Sequence, residues 1–194
     1  MPALTADLRL IVGLGNPGAD YVDTRHNAGF WLVEGLARDA SEQFRFDKKY
    51  NAEICKHRFP DREVTFMKPL TFMNHSGQSV GAFARYAKIK PEQILVMHDE
   101  LDLPSGVNRI KFSGGHGGHN GLRDIISHLG SKDFFRMRIG IDHPGDRNQV
   151  INYVLHKPSV GERQNIDKAA LEVLDVMPLV YQGRIDKAMQ ALHT

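Results

Sequence analysis

Val107-Asn-Arg-Ile-Lys-Phe-Ser-Gly-Gly-His-Gly-Gly-His-Asn-Gly-Leu-Arg-Asp-Ile-Ile-Ser-His-Leu129 decides the fold class, because it reads as strand, loop and helix in succession. Val107 to Phe112 is strand-like, and Leu122 to Leu129 is helix-like. Between them, five of the eight residues Gly114 to Gly121 are glycine. Glycine that dense strips side chains away from His116, His119 and Asn120, so a ligand can approach the backbone closely. Asn120 is expected to cap the helix, whose free amides would face an anion or a developing oxyanion.

The same order extends outward in both directions. Leu8 to Gly13 is a β-rich apolar run, and Phe30 to Ala40 carries Trp31, Leu32, Leu36 and Ala37 at helical spacing. Ala52 to Phe59 and Glu63 to Met67 flank Pro60-Asp-Arg62 and read as a hairpin. Val80, Phe83, Ala84 and Ala87 then mark a second helix, and Ile94 to Met97 a buried strand. Arg136 to Ile141 is a further strand, followed by helices from about Glu162 to Val180 and from Ile185 to Leu192. Alternation of this kind predicts an α/β fold, a single domain over residues 1–194. The hairpin demands antiparallel pairing and the helical crossovers permit parallel pairing, so the sheet is expected to be mixed.

Composition narrows the function. The 25 basic residues against 23 acidic give a net charge of +2, so a nucleic-acid partner would have to be met by local clusters. Cys55 is the single cysteine and cannot form an internal disulfide. No apolar run has membrane-spanning length and the N-terminus has no signal-peptide pattern, so a cytoplasmic protein without a membrane partner is expected.

Four polar stretches carry the candidate chemistry. Gly13-Leu-Gly-Asn-Pro-Gly18 matches the dinucleotide pattern G-x-G-x-x-G, but Pro17 and the polar run to His26 delay the helix by about ten residues. A plain strand-exit turn and a site loop presenting Asn16 are the other readings. Thr24-Arg-His-Asn-Ala-Gly-Phe30 places His26 just before a helix whose expected cap is Asn27; the helix's positive end disfavours imidazolium, leaving a neutral base for water. In Val96-Met-His-Asp-Glu-Leu-Asp-Leu-Pro104, Asp99 follows a buried strand, where α/β proteins place site residues, and supplies an acid to orient that base. Lys68-Pro-Leu-Thr-Phe-Met-Asn-His-Ser-Gly77 brings Asn74 and Ser76, either of which could cap the next helix. Neither Ser76 nor Ser113 lies in a G-x-S-x-G elbow. A metal cluster drawn from His98, Asp99, Glu100, Asp102, His116 and His119 competes with this reading, although no familiar ligand spacing appears among them. Loops bringing amide, imidazole and carboxylate groups suit hydrolysis by a general base.

Taken with Arg138-Ile-Gly-Ile-Asp-His-Pro-Gly145, these motifs resemble, in order and over nearly the whole chain, the bacterial-type peptidyl-tRNA hydrolases. The resemblance implies a usually monomeric α/β domain with a twisted mixed sheet flanked by helices, needing no cofactor and no metal. It implies cleavage of the ester joining a peptide to the terminal ribose of tRNA. By motif, His26 looks like the water-activating base, Asp99 like its orienting partner, and Asn16 like the residue that distinguishes peptidyl-tRNA from free aminoacyl-tRNA. Tyr21, Phe72, Asn74 and Asn120 match positions that bind the substrate's acceptor end, supported by His119. Lys111 and Arg138 match positions near the phosphate backbone, with Arg109, Arg123 and Arg136 as neighbours and Lys168 and Arg184 more remote. His75 departs from the leucine more usual after the Phe-Met-Asn run. Two rivals stand beside this reading: a non-catalytic RNA-binding module using Lys111, Arg138 and stacking on Phe72 or Tyr21, and a metal-dependent peptidase or amidase.

Overall fold

The computed structural model describes residues 4–193. Seven strands form one sheet: β1 (Leu10–Gly13), β2 (Arg45–Asp47), β3 (Ala52–Arg58), β4 (Glu63–Pro69), β5 (Ile94–Glu100), β6 (Asn108–Phe112) and β7 (Phe135–Gly140). Their order is β2-β3-β4-β1-β5-β7-β6. The four central strands run parallel, with Leu10 opposite both Thr65 and Ile94, and Asp99 opposite Ile139. Both margins are antiparallel, β2-β3-β4 on one side and β7-β6 on the other. All four residues of β1 are buried, as a strand covered on both faces requires.

Six helices cover the sheet: α1 (Ala28–Asp39), α2 (Ser76–Ala87), α3 (Asn120–Leu129), α4 (Val150–Val154), α5 (Val160–Tyr181) and α6 (Ile185–Leu192). Leu32, Val33 and Leu36 of α1 join Val173 and Val180 of α5 over one face, against Leu95, Met97 and Met137. Val80 and Phe83 of α2 and Leu122 and Ile125 of α3 cover the other, against Leu10, Val12 and Val96. Each such side chain contributes about 1.5–3 kcal/mol by leaving water. The capping box at Ser159 and Glu162 starts α5.

The α/β class and mixed sheet follow the sequence reading, with three differences. β2 has three residues, too few to show alternation. β6, which opens the strand, loop and helix stretch, lies at the sheet edge antiparallel to β7. The five-residue α4 lies between β7 and α5, where the sequence reading assigns no element. Among the described residues, no helix is long and apolar enough to cross a membrane.

Chain direction sets the place of the site. β1 is followed by a crossover through α1 and the β2-β3 hairpin to β4 on one side, and β4 by α2 and β5 on the other. The loops leaving β1, β4 and β5 therefore diverge at one strand end, where open α/β sheets hold their ligands.

Candidate active site

A cleft of about 830 Å³ opens there. Asn16 enters it from the loop after β1, His26 from the 3-10 turn ahead of α1, and Phe72 and Asn74 from the loop after β4. Asp99 comes from the end of β5, and His116, His119 and Asn120 from the glycine loop.

Gly13 and Gly29 let α1 start hard against the sheet. A Cβ on Gly13 would lie 2.3 Å from the Gly29 carbonyl oxygen, and one on Gly29 would lie 2.3 Å from that of Met97. Gly15 is filled by the Phe30 ring in the same way. The glycines of the G-x-G-x-x-G match thus serve helix-to-sheet packing, and the loop they release presents Asn16. Its position is fixed three times: Oδ1 accepts from the Met73 amide at 2.7 Å, the backbone amide donates to Asn27 Oδ1 at 2.8 Å, and the carbonyl accepts from Asn27 Nδ2 at 3.0 Å. Asn27 therefore braces this loop and does not make the side-chain cap of α1 that its sequence position suggests. Oδ1 being engaged, the Nδ2 donor of Asn16 is the group left for the cleft.

Asp99 is 4 % exposed and lies between two imidazoles. His26 Nδ1 is 3.0 Å from Oδ1 and 2.9 Å from Oδ2, and His119 Nε2 is 2.8 Å from Oδ1. The other nitrogen of each ring identifies its tautomer. His119 Nδ1 accepts from the Gly121 and Leu122 amides at 3.1 and 3.3 Å, so the hydrogen is on Nε2 and is donated to Asp99. His26 donates from Nδ1 to the same carboxylate, and its Nε2 keeps a lone pair with no protein partner among the described residues. Burial alone would push Asp99 up, but its two imidazole neighbours hold it far below the usual carboxylate range. Burial lowers the His26 pKa, and the charge and hydrogen bond of Asp99 together raise it above its ordinary value. From sequence the helix end is expected to disfavour imidazolium; the carboxylate outweighs that influence.

His119, not Asn120, caps α3, because its ring nitrogen reaches the two free amides while Asn120 is already the first helical residue. Ser76 and Asn74 do not cap α2 either: Ser76 opens the helix and its hydroxyl donates to the Met73 carbonyl at 2.7 Å. Gly117 and Gly118, at φ 58° and 84°, let the glycine loop turn without side chains in the cleft.

Strand pairing places Arg109, Lys111, Arg136 and Arg138 on one face, since Lys111 lies opposite Arg136 and Arg109 opposite Arg138. They are not equivalent. Arg136 is buried and donates to the Gly114 and Gly115 carbonyls, each at 2.6 Å, so it holds the glycine loop and is not an open phosphate ligand. Arg138 is paired with Glu100 at 2.8 Å and still lines the cleft; Lys111 lines it too and is exposed. Arg109 and Arg123 lie outside the cleft lining, as do His75, Lys168 and Arg184.

Tyr21 and Phe72 meet edge to face with ring centroids 6.2 Å apart, and Phe72 is 56 % exposed. Sequence reasoning missed the far wall, where His143, Arg147, Val150, Ile151 and Leu155 line the cleft. Ile151 and Leu155 are exposed apolar residues on and just after α4, and no sequence period marks so short a helix. Arg25 anchors this wall beneath His26, with its guanidinium 3.8 Å from the Tyr153 ring centroid and paired with Glu162 at 2.8 Å.

His26, Asp99 and His119 are the group, among the described residues, whose potential metal-ligand atoms lie within 4.8 Å of one another. Their nitrogens facing Asp99 carry hydrogen, so this donor set fits a hydrogen-bonded relay better than a metal centre. His98 is buried, donates from Nδ1 to the Asp99 carbonyl at 2.8 Å, and is lowered to about 3 by burial and by His119, which keeps it neutral.

A buried carboxylate aligning an imidazole, beside amide side chains at the strand ends of an α/β sheet, is an arrangement that can serve hydrolysis. A sequence model of the peptidyl-tRNA hydrolase family matches residues 10–194. A peptidyl-tRNA hydrolase of Neisseria meningitidis serogroup C (strain 053442) is 50% identical over 187 residues, covering 96% of this chain and 97% of that protein. One from Ruthia magnifica is 49% identical over 187 residues, covering 96% and 98%. The crystal structure of peptidyl-tRNA hydrolase from Acinetobacter baumannii superimposes with a TM-score of 0.93 at 45% identity, covering 97% of this chain and 95% of that one. The chain belongs to the peptidyl-tRNA hydrolase family, and it is an enzyme of peptidyl-tRNA hydrolysis.

Proposed function

We propose that His26 activates the water that cleaves peptidyl-tRNA, with Asp99 fixing its tautomer and no metal taking part. The observation that carries this reading is the Asp99 contact to Nδ1, which leaves Nε2 of His26 as the acceptor in the cleft. Water oxygen attacks the ester carbonyl carbon as its proton passes to Nε2. The tetrahedral intermediate then collapses, the bond from carbonyl carbon to ribose oxygen breaks, and the imidazolium returns the proton to that oxygen. The products are free tRNA and a peptide with a terminal carboxylate. Asn74 or Asn120, both of which line the cleft, would donate to the oxyanion, a contribution of about 3 kcal/mol.

The fixed Nδ2 donor of Asn16 needs an acceptor, and the acyl carbonyl of a blocked amino group supplies one. A free aminoacyl-tRNA presents an ammonium donor there and leaves both groups unmatched. Tyr21, Phe72 and the His119 wall hold the acceptor end, and Lys111 with Arg138 meets the phosphate backbone. We place the enzyme in the cytoplasm as a monomer, where tRNA freed from peptide re-enters translation.

The test is release of N-acetylated amino acid from N-acetyl-aminoacyl-tRNA in the presence of a chelator. The unaltered chain should cleave it and leave free aminoacyl-tRNA intact. Activity lost with chelator and restored by a divalent ion would instead support a metal hydrolase, and tight tRNA binding without turnover an RNA-binding module.

A further inference from the structure

The catalytic cleft holds two further histidines, built alike, that the reaction described above does not use. His116 sits in the glycine loop after β6 and His143 in the loop after β7, and both line the cleft. In each, Nδ1 accepts from the backbone amide of the glycine two residues on, Gly118 for His116 and Gly145 for His143, both at 2.9 Å. These glycines stand at φ 84° and 91°, which lets the chain fold back onto the ring. A ring nitrogen that accepts carries no hydrogen, so in both rings the hydrogen is on Nε2. Neither Nε2 has a protein partner among the described residues, so each is a donor left for a ligand.

Both loops are braced. Arg136 donates to the Gly114 and Gly115 carbonyls ahead of His116, and the His119 amide donates to the His116 carbonyl at 2.9 Å. Ahead of His143, the Asp142 amide donates to the Leu103 carbonyl at 3.0 Å, and Asp142 Oδ2 accepts from the Ser105 amide at 3.1 Å. The donors are therefore ordered before a ligand arrives, and binding does not have to order them. The strands that lead into the two loops carry Lys111 and Arg138, which line the same cleft. Fixed N–H donors beside cations call for an anion rich in acceptors, and RNA phosphate is one.

We propose that His116 and His143 bind phosphate oxygens of the substrate's acceptor end as uncharged Nε2–H donors, fixing its register beside Lys111 and Arg138. The inference rests on the placement of the phosphate backbone at those two cations. It divides the work between them: a cation attracts phosphate in a salt-dependent way by releasing counterions, and an uncharged donor releases none.

The test is binding of a deacylated acceptor-stem minihelix with a single-stranded 3′ end, titrated over a range of salt in mildly alkaline buffer. His116→Ala and His143→Ala should each weaken binding about three- to tenfold at every salt concentration, with the slope of log affinity against log salt unchanged. An asparagine at either position can accept the same glycine amide, as asparagine does in turns, but its own amide stops short of the Nε2 position. His116→Asn and His143→Asn should therefore lose as much as the alanine variants. Lys111→Ala, run alongside, should lower the slope; a slope it leaves unmoved would fault the placement of the backbone there, separately from the histidines. Unweakened binding in either alanine variant, a slope lowered by about 0.7–0.9 in either, or full affinity in either asparagine variant would overturn the proposal.

Discussion

The loop that carries His26 and the glycine loop that carries His119 end on the same carboxylate, yet they differ in the atom left over. His26 meets Asp99 through Nδ1 and keeps Nε2 for the cleft. His119 meets it through Nε2 and spends Nδ1 on the first amides of α3. In the mechanism we propose, two imidazoles with the same partner thus divide into a base and a brace. The surroundings of the second nitrogen, more than proximity to the acid, decide which ring can take a proton from water.

Removing the base should have the largest effect. His26→Ala should lower turnover by about 10²- to 10⁴-fold or more while tRNA affinity holds, as single-turnover cleavage and a binding titration would show. His119→Ala producing the larger turnover loss would reverse the two roles.

Asp99→Asn probes the division more finely. Two N–H donors converge on this side chain, and an amide offers one acceptor oxygen. His119 is pinned by backbone amides, so His26 is the ring that must reverse, placing hydrogen on the nitrogen that should accept it. A turnover loss of about 10²- to 10⁴-fold is expected. The pH profile adds a sign. In the proposed mechanism His26 works neutral, so kcat/KM should rise with pH through its pKa, which Asp99 holds above the ordinary 6.5. In Asp99→Asn that support is gone and burial prevails, so the acid limb should move to lower pH. A limb unmoved by the substitution would separate His26 from Asp99.

His119→Ala removes the cap of α3 as well as a bond to Asp99. A stability loss of about 1 kcal/mol in thermal or urea unfolding is expected, with a smaller loss of turnover than His26→Ala. The smallest effect belongs to the exposed Lys111: Lys111→Ala should weaken tRNA binding uniformly and reduce the salt slope by about 0.7–0.9 for each phosphate the lysine neutralises.

The residues carrying this contrast are only partly legible in sequence. Asn16, His26 and Asp99 stand out because each follows a readable strand or precedes a readable helix, and parallel strands deliver such loops to one end. The cap of α3 is misread because Asn120 has the usual capping side chain, while His119 does the same work through a ring nitrogen whose reach depends on Asp99. Arg136 looks like any other cation on its strand, and only the tertiary fold shows its guanidinium tied to the Gly114 and Gly115 carbonyls. The antiparallel placement of β6 is hidden for a related reason: strand, loop and helix read alike in either direction, and pairing with β7 depends on residues more than twenty positions away. α4, at five residues, is too short to show a helical period.

The most direct measurement is ¹⁵N NMR of the imidazole rings, assigned with His26→Ala and His119→Ala and recorded above the His26 pKa. Neutral His26 should carry its hydrogen on Nδ1 and His119 on Nε2. His26 with hydrogen on Nε2 would have no lone pair for water, and the assignment of His26 as the base would fall.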